Sequence, residues 1–180
     1  MKKENNVLYI LRLTVTLLLI CGVVAAVLAG VNAITKDKIA AIQAQKTLDA
    51  IENVLPGVEG LEEMPLAEDT GIVRSVFVSG SSYAVEVAPI GFDGEITMMV
   101  GITDGQVTGI SVISHTETPG LGAVAAAKNA KGDAFRGQFV GKSGMLEVGN
   151  QIDAMSGATI TSKAVVAGVN AALEYVASLG

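Results

Sequence analysis

At 180 residues the chain has room for one domain with its own core plus an appendage. Half of it is hydrophobic but only 4% is aromatic, and a formal net charge of −6 argues against nucleic acid or an anionic membrane surface as the main partner. With one cysteine and one histidine there is neither a disulfide framework nor a Cys/His zinc cluster, and a Ser-His-Asp triad would have to be built on His115, around which no acid and nucleophile stand out.

Residues 1–6 form a short polar tail. Residues 7–34 are almost wholly apolar, and the run 13–34 carries no charge, enough for a helix across ~30 Å of hydrocarbon, with Arg12 snorkelling at one end. Small residues around 28–34 offer a signal-peptide cut, but an h-region usually has only ~7–15 residues, so an uncleaved anchor is the expectation. Lys2, Lys3 and Arg12 on one side, against Lys36 and Lys38 on the other, orient the N-terminus to the cytoplasm and place the rest of the chain outside the cell membrane. Cys21 lies inside the apolar run and reads as an inert thiol. Gly22, Ala26 and Gly30, with Ala25, Ala29 and Ala33 beside them, make a face of small residues; it is either a generic Ala-rich anchor or the contact face of a subunit in a membrane complex.

Residues 35–70 read as a helical stalk followed by an acidic loop. Ile39, Ile42, Leu48, Ile51 and Leu55 mark an amphipathic helix that Pro56-Gly57 ends, and Glu59, Glu62, Glu63, Glu68 and Asp69 form the solvated loop. From residue 71 the periodicity changes to that of strands. Residues 72–78 and 83–88 pair across the turn 79–82, and residues 95–102 and 107–113 pair across 103–106, where Asp104-Gly105 suits a tight turn. These predict a four-stranded antiparallel sheet.

Beyond it come a short helical segment at 123–130 and a loop at 132–144 with Phe135 and Phe139 packing inward. A short strand follows at 145–148. Gly141-Lys142-Ser143 is not a phosphate-binding P-loop, since Gly137 stands one residue too close. Val165, Val166, Val169, Ala172, Leu173 and Val176 then recur on one helical face, with Thr161 or Ser162 as the N-cap. The fold class is α+β: an N-terminal membrane helix plus a compact domain at 71–180 with an antiparallel sheet and flanking helices.

The stretch 153–162, Asp-Ala-Met-Ser-Gly-Ala-Thr-Ile-Thr-Ser, organises the chain. It gathers small and hydroxyl residues where a helix begins, a place that suits a phosphate because unpaired N–H groups and the positive dipole end face outward. Lys163, a cation in the first turn, reads as a partner for that anion. On the residues alone the stretch is equally a capped helix start. Two more stretches carry weight: Gly91-Phe92-Asp93-Gly94-Glu95-Ile96, leading into a strand, and His115-Thr116-Glu117-Thr118-Pro119-Gly120-Leu121-Gly122, a loop whose glycines let backbone approach a flat ligand. His115 itself reads as a surface hydrogen-bonder.

Ser156-Gly157-Ala158-Thr159, with Asp153 ahead and Thr161-Ser162 behind, resembles the flavinylation motif of the FMN-binding domain family, and the other two stretches are similar to that family in the same order. Within it, the chain resembles the G subunits of ion-translocating Rnf electron-transport complexes; the related C subunits of sodium-pumping quinone reductases carry the same motif on generally longer chains. The resemblance implies covalent FMN held by a phosphoester on Thr159, with Ser156, Gly157 and Ala158 cradling the phosphate and Thr161 and Lys163 beside it. It implies a flavin ring lined by Glu117, Thr118, Gly120, Leu121 and Gly122.

No base stands near Thr159 to activate it, and the resemblance implies a separate flavin transferase, with FAD as donor, as the maturation partner. Asp153 orients the loop or serves that transferase. The implied function is electron transfer as one subunit of a membrane-bound ferredoxin:NAD oxidoreductase that moves ions, among other membrane subunits and without independent catalysis. The alternatives are a membrane-anchored flavin sensor or assembly protein, a quinone reductase subunit, or a structural subunit whose motif is only a helix cap.

Overall fold

A computed structural model describes residues 6–66 and 71–179. The tail at 1–5 with Lys2 and Lys3, and Glu68 and Asp69 of the expected acidic loop, lie outside the described residues. The chain divides into two units, Met1–Gln45 and Lys46–Gly180.

From Asn6 onward the first unit belongs to α1, Asn6–Val54. Its most apolar window has a mean hydropathy of 2.6, so α1 is long and apolar enough to cross a membrane by length and composition. Its aliphatic side chains from Leu8 to Ile34 are exposed, Leu18 at 68%. Two hydroxyls in this stretch bond back to the helix itself: those of Thr14 and Thr16 donate to the carbonyls of Ile10 and Arg12 at 3.0 and 2.8 Å.

The second unit takes in the C-terminal end of α1 and is built on a five-stranded antiparallel sheet whose strands follow chain order. These are β1, Glu62–Met64; β2, Val73–Ser79; β3, Ser82–Val87; β4, Thr97–Thr103; and β5, Gln106–Ser114. The β2–β3 hairpin closes at Ser79↔Ser82, and β4–β5 closes at Thr103↔Gln106. Asp104 (φ 51) and Gly105 (φ 75) are both left-handed there, the backbone that a type I′ turn demands.

The fifth strand was not expected. Glu62 and Glu63, read as loop, pair with Val78 and Phe77 at the sheet edge, where their charge discourages a further strand from adding. Three residues are too few to show alternation in a sequence.

Both faces of the sheet are apolar. Val85, Val87, Met98, Val100 and Ile102 face one core, with Val165, Val169 and Ala172 of α3, Thr159–Leu179. Ala84 and Met99 face the other way, where Ala50, Ile51 and Val54 from the end of α1, and Leu55 just after it, cover them. The α1 terminus is tied down by Thr108, whose hydroxyl donates to the carbonyl of Val54 at 2.6 Å.

Three local expectations need correction. Residues 132–144 are not all loop: α2, Ala130–Gly137, starts at Asn129, whose side chain accepts the N–H groups of Lys131 and Gly132, a cap that outweighs the glycine-rich composition. Its Phe135 does pack inward against Phe139, ring centroids 5.6 Å apart and near perpendicular. The expected helix at 123–130 is a short 3-10 turn at Gly122–Ala126 followed by a break. The expected strand at 145–148 is only an isolated bridge of Val148 to Ile152, because Asn170 of α3 occupies the backbone of Leu146 instead, both donating to its carbonyl and accepting its N–H at 2.9 Å.

Candidate functional site

Helix α3 begins at Thr159, two residues before the first hydroxyl expected to cap it. Ser162 is responsible. Its buried hydroxyl donates to the carbonyl of Ala158 and accepts the N–H of Met155, both at 2.9 Å, so the turn 155–158 is stitched to the first helical turn from inside. Gly157 sits at the bend with φ 73, a conformation that favours glycine. Thr159 therefore stands exposed in the first turn, among N–H groups that have no partner within the helix.

Thr159 opens onto a cleft of about 340 Å³. One wall is Gly157, Ala158, Thr159, Ile160 and Thr161; the opposite wall is Glu117, Thr118, Leu121 and Gly122; Phe92 closes the side. Two stretches far apart in the chain thus meet in one hollow. The lining is mixed: Phe92, Leu121 and Ile160 are exposed apolar side chains, 67%, 44% and 54% open to solvent, beside threonine hydroxyls and glycine backbone. Ser156 and Gly120 line a neighbouring hollow that shares Leu121. Lys163 is exposed in the first turn of α3 and is not among the residues lining either hollow.

Glu117 joins the walls. Only 5% exposed, it accepts the N–H groups of Phe92 (2.8 Å) and Asp93 (3.2 Å) on Oε1 and the hydroxyl of Thr161 (2.5 Å) on Oε2. A side chain at Gly91 would overlap Oε1 and one at Gly122 would overlap Oε2, so both glycines are required by the carboxylate. Burial by itself pushes Glu117 upward; the Thr161 hydroxyl, the Asp93 and Phe92 N–H groups and the nearby His115 together reverse this and hold it below the usual carboxylate range. Thr116 adds a further tie, its hydroxyl donating to the carbonyl of Asp93 at 2.7 Å. His115 is half-buried, with Nδ1 lacking a hydrogen-bond partner among the described residues.

Sequence reading missed Phe92 and Ile160 as lining residues. Phe92 sat inside a stretch already singled out, but its outward ring follows from Glu117 holding its backbone, which no local pattern reveals. Ile160 would have been found by starting the helix at Thr159.

A cleft of this size is at the lower end for a small-molecule cofactor, with apolar surfaces for a flat ring and a helix start for an anion, and its residues suit FMN. The comparisons agree. Residues 91–174 match the FMN-binding domain family, and residues 1–54 match the RnfG N-terminal region.

Along its length the chain is 34% identical over 184 residues to the G subunit of the ion-translocating oxidoreductase complex of Methanosarcina acetivorans, covering 94% of this chain and 95% of that one. It is 32% identical over 198 residues to the G subunit of the Na(+)-translocating ferredoxin:NAD(+) oxidoreductase complex of Acetobacterium woodii, covering 94% and 93%. It is 34% identical over 184 residues to the G subunit of the proton-translocating ferredoxin:NAD(+) oxidoreductase complex of Clostridium ljungdahlii, covering 98% and 96%. The chain belongs to the family of G subunits of ion-translocating oxidoreductase complexes and carries an FMN-binding domain.

Proposed function

We propose that this chain is the electron-transferring G subunit of a membrane-bound, ion-translocating ferredoxin:NAD oxidoreductase complex, and that it holds FMN covalently on Thr159. The observation that carries the reading is the meeting of Gly157, Ala158 and Thr159 with Glu117, Thr118, Leu121 and Gly122 around one cleft, in a chain of this family. When bound, FMN supplies one- and two-electron redox chemistry that the side chains here lack.

The chain's own part is to hold and shield. Thr159 Oγ offers the attachment point; the first N–H groups of α3, with Ala158 and Gly157, present positive dipoles to a phosphate. Phe92, Leu121 and Ile160 would give a ring apolar surface and Thr118 a polar contact, while Thr161, its hydroxyl held by Glu117, would lie on the phosphate side. A covalent tether keeps a cofactor at high effective concentration where loss to the medium would be irreversible.

Attachment requires a partner, because no base lies beside Thr159 in the sequence to take its proton. A flavin transferase using FAD balances the step: a bond forms between Thr159 Oγ and the FMN phosphorus, the bond to adenosine monophosphate breaks, and the hydroxyl proton passes to the transferase. The expected orientation puts the N-terminus in the cytoplasm, a span within residues 7–34 and the FMN domain outside, where it meets other membrane subunits of the complex. Intact mass tests the central point. Protein from its native membrane, or made alongside the transferase, should weigh one FMN phosphoester more than its amino acids, and Thr159→Ala should abolish that increment; a wild type of bare polypeptide mass would overturn the reading.

A further inference from the structure

We infer that Glu117 is a positioning residue for the flavin, clamping the walls of the cleft together and lowering the ring's reduction potential through its fixed negative charge. This rests on FMN occupying the cleft.

The clamp is visible in the contacts. One carboxylate joins the loop after β3, through Phe92 and Asp93, to the first turn of α3, through Thr161, from its own place in the loop after β5. Thr161 lies two residues beyond Thr159, so the same bond that holds the wall also sets where the attachment hydroxyl stands.

The charge needs a separate explanation, because the clamp does not require it. All three donors are neutral, and a glutamine amide would satisfy them: its oxygen accepting the two N–H groups, its nitrogen donating to Thr161 Oγ1. Among the described residues no lysine or arginine pairs with Glu117; Arg74 is engaged with Glu95 and Arg136 with Asp133. His115 is the one charge-bearing group that acts on Glu117, and it makes no hydrogen bond to it, so an ionised group shielded from water and only partly offset is felt by whatever lies in the cleft. Reduction adds negative charge to a bound ring, and Glu117 opposes that addition, so its presence favours the oxidised form.

The experiment uses the full flavinylated chain in detergent, titrated reductively against a dye of known potential, with iodide quenching of flavin fluorescence as a measure of how closed the cleft is. Glu117→Gln keeps the clamp and removes the charge: the reduced-to-oxidised ratio at a given poise should rise about tenfold, which is about 30 mV for a two-electron couple, with iodide access unchanged. Glu117→Asp keeps the charge but is too short to reach Phe92 and Thr161 together: iodide access should rise while the ratio stays within about threefold of wild type. Glu174→Gln, far along α3, serves as the control carboxylate.

Equal potentials for wild type and Glu117→Gln would overturn the inference, as would Glu117→Asp shifting as far as Glu117→Gln, or Glu117→Gln opening the cleft to iodide as Glu117→Asp does. Should Glu117→Gln not fold, the Glu117→Asp result alone still decides, since a tenfold rise with the charge retained is incompatible with it. A wild type without flavin in the presence of the transferase would sink the FMN reading itself; flavinylated proteins of equal potential would sink only this one.

Discussion

Two glutamates in the domain titrate in opposite directions, and the difference is in what meets them. Glu86 on β3 is raised above 4.5 chiefly by burial, with the Glu63 charge adding to this and the Ser75 hydroxyl and Arg74 only partly offsetting it. Glu117 also suffers burial, yet its three hydrogen-bond donors and His115 bring it below 4.5. For Glu117 the folded pKa is depressed, so its contribution to stability is complete above the unfolded value and is lost as pH falls through the folded one. For Glu86 the folded pKa is raised, so folding is favoured at low pH and weakened as pH rises through that value. Thermal melts of the two glutamine variants should therefore move oppositely: Glu86→Gln gains on wild type at pH 7 but not near pH 4, while Glu117→Gln loses at pH 7 and converges with wild type as the medium becomes acid. Parallel shifts at both pH values would show that the charges are not responsible.

At the scale of the element, the start of α3 shows how a helix without a capping side chain ahead of it is stabilised from within. Among the described residues the side-chain partner of the Met155 N–H is the Ser162 hydroxyl, and the pair is buried. Ser162→Ala leaves that N–H unsatisfied, which costs about 1–3 kcal/mol and loosens the turn carrying Gly157 and Ala158, so both the melting temperature and flavin loading should drop; a variant that melts and loads as wild type would show the bond to be dispensable. The same helix explains what could be read in advance. Val165, Val169 and Ala172 announced its buried face because the signal repeats over several turns, and Asp104-Gly105 announced its hairpin because few residues adopt that backbone. The stretches at 156–159 and 117–122 were singled out in the sequence, and residues of both line the one cleft. Strand β1, the Asn129 cap of α2 and the Glu117 clamp were not, since each depends on partners that no local pattern singles out: Val78 for Glu62, the N–H groups of Lys131 and Gly132 for Asn129, and Phe92 and Thr161 for Glu117.

At the scale of the whole molecule, the second unit begins at Lys46, well inside α1, rather than at the first strand. The reason lies in the sheet. Strand β4 is buried on both sides, with Met98, Val100 and Ile102 toward α3 and Met99 toward the end of α1, and Gly101 has no room for a side chain because Thr108 and Val54 lie against it. A fragment starting at residue 46 keeps Ala50, Ile51, Val54 and Leu55, and should fold as a soluble, flavin-accepting domain. One starting at residue 56 loses all four, together with the Thr108 bond to Val54. Burying an aliphatic side chain contributes about 1.5–3 kcal/mol, so losing Ile51, Val54 and Leu55 removes an amount comparable to the about 5–15 kcal/mol that separates most domains from unfolding. The uncovered face of Ala84, Met99 and Ile113 would also be an adhesive apolar surface. The shorter fragment should elute as aggregate or melt far below the longer one by size-exclusion chromatography and circular dichroism. Equal melting temperatures would mean that the end of α1 is ornamental to the domain, and that the sheet's second face is tolerated in water.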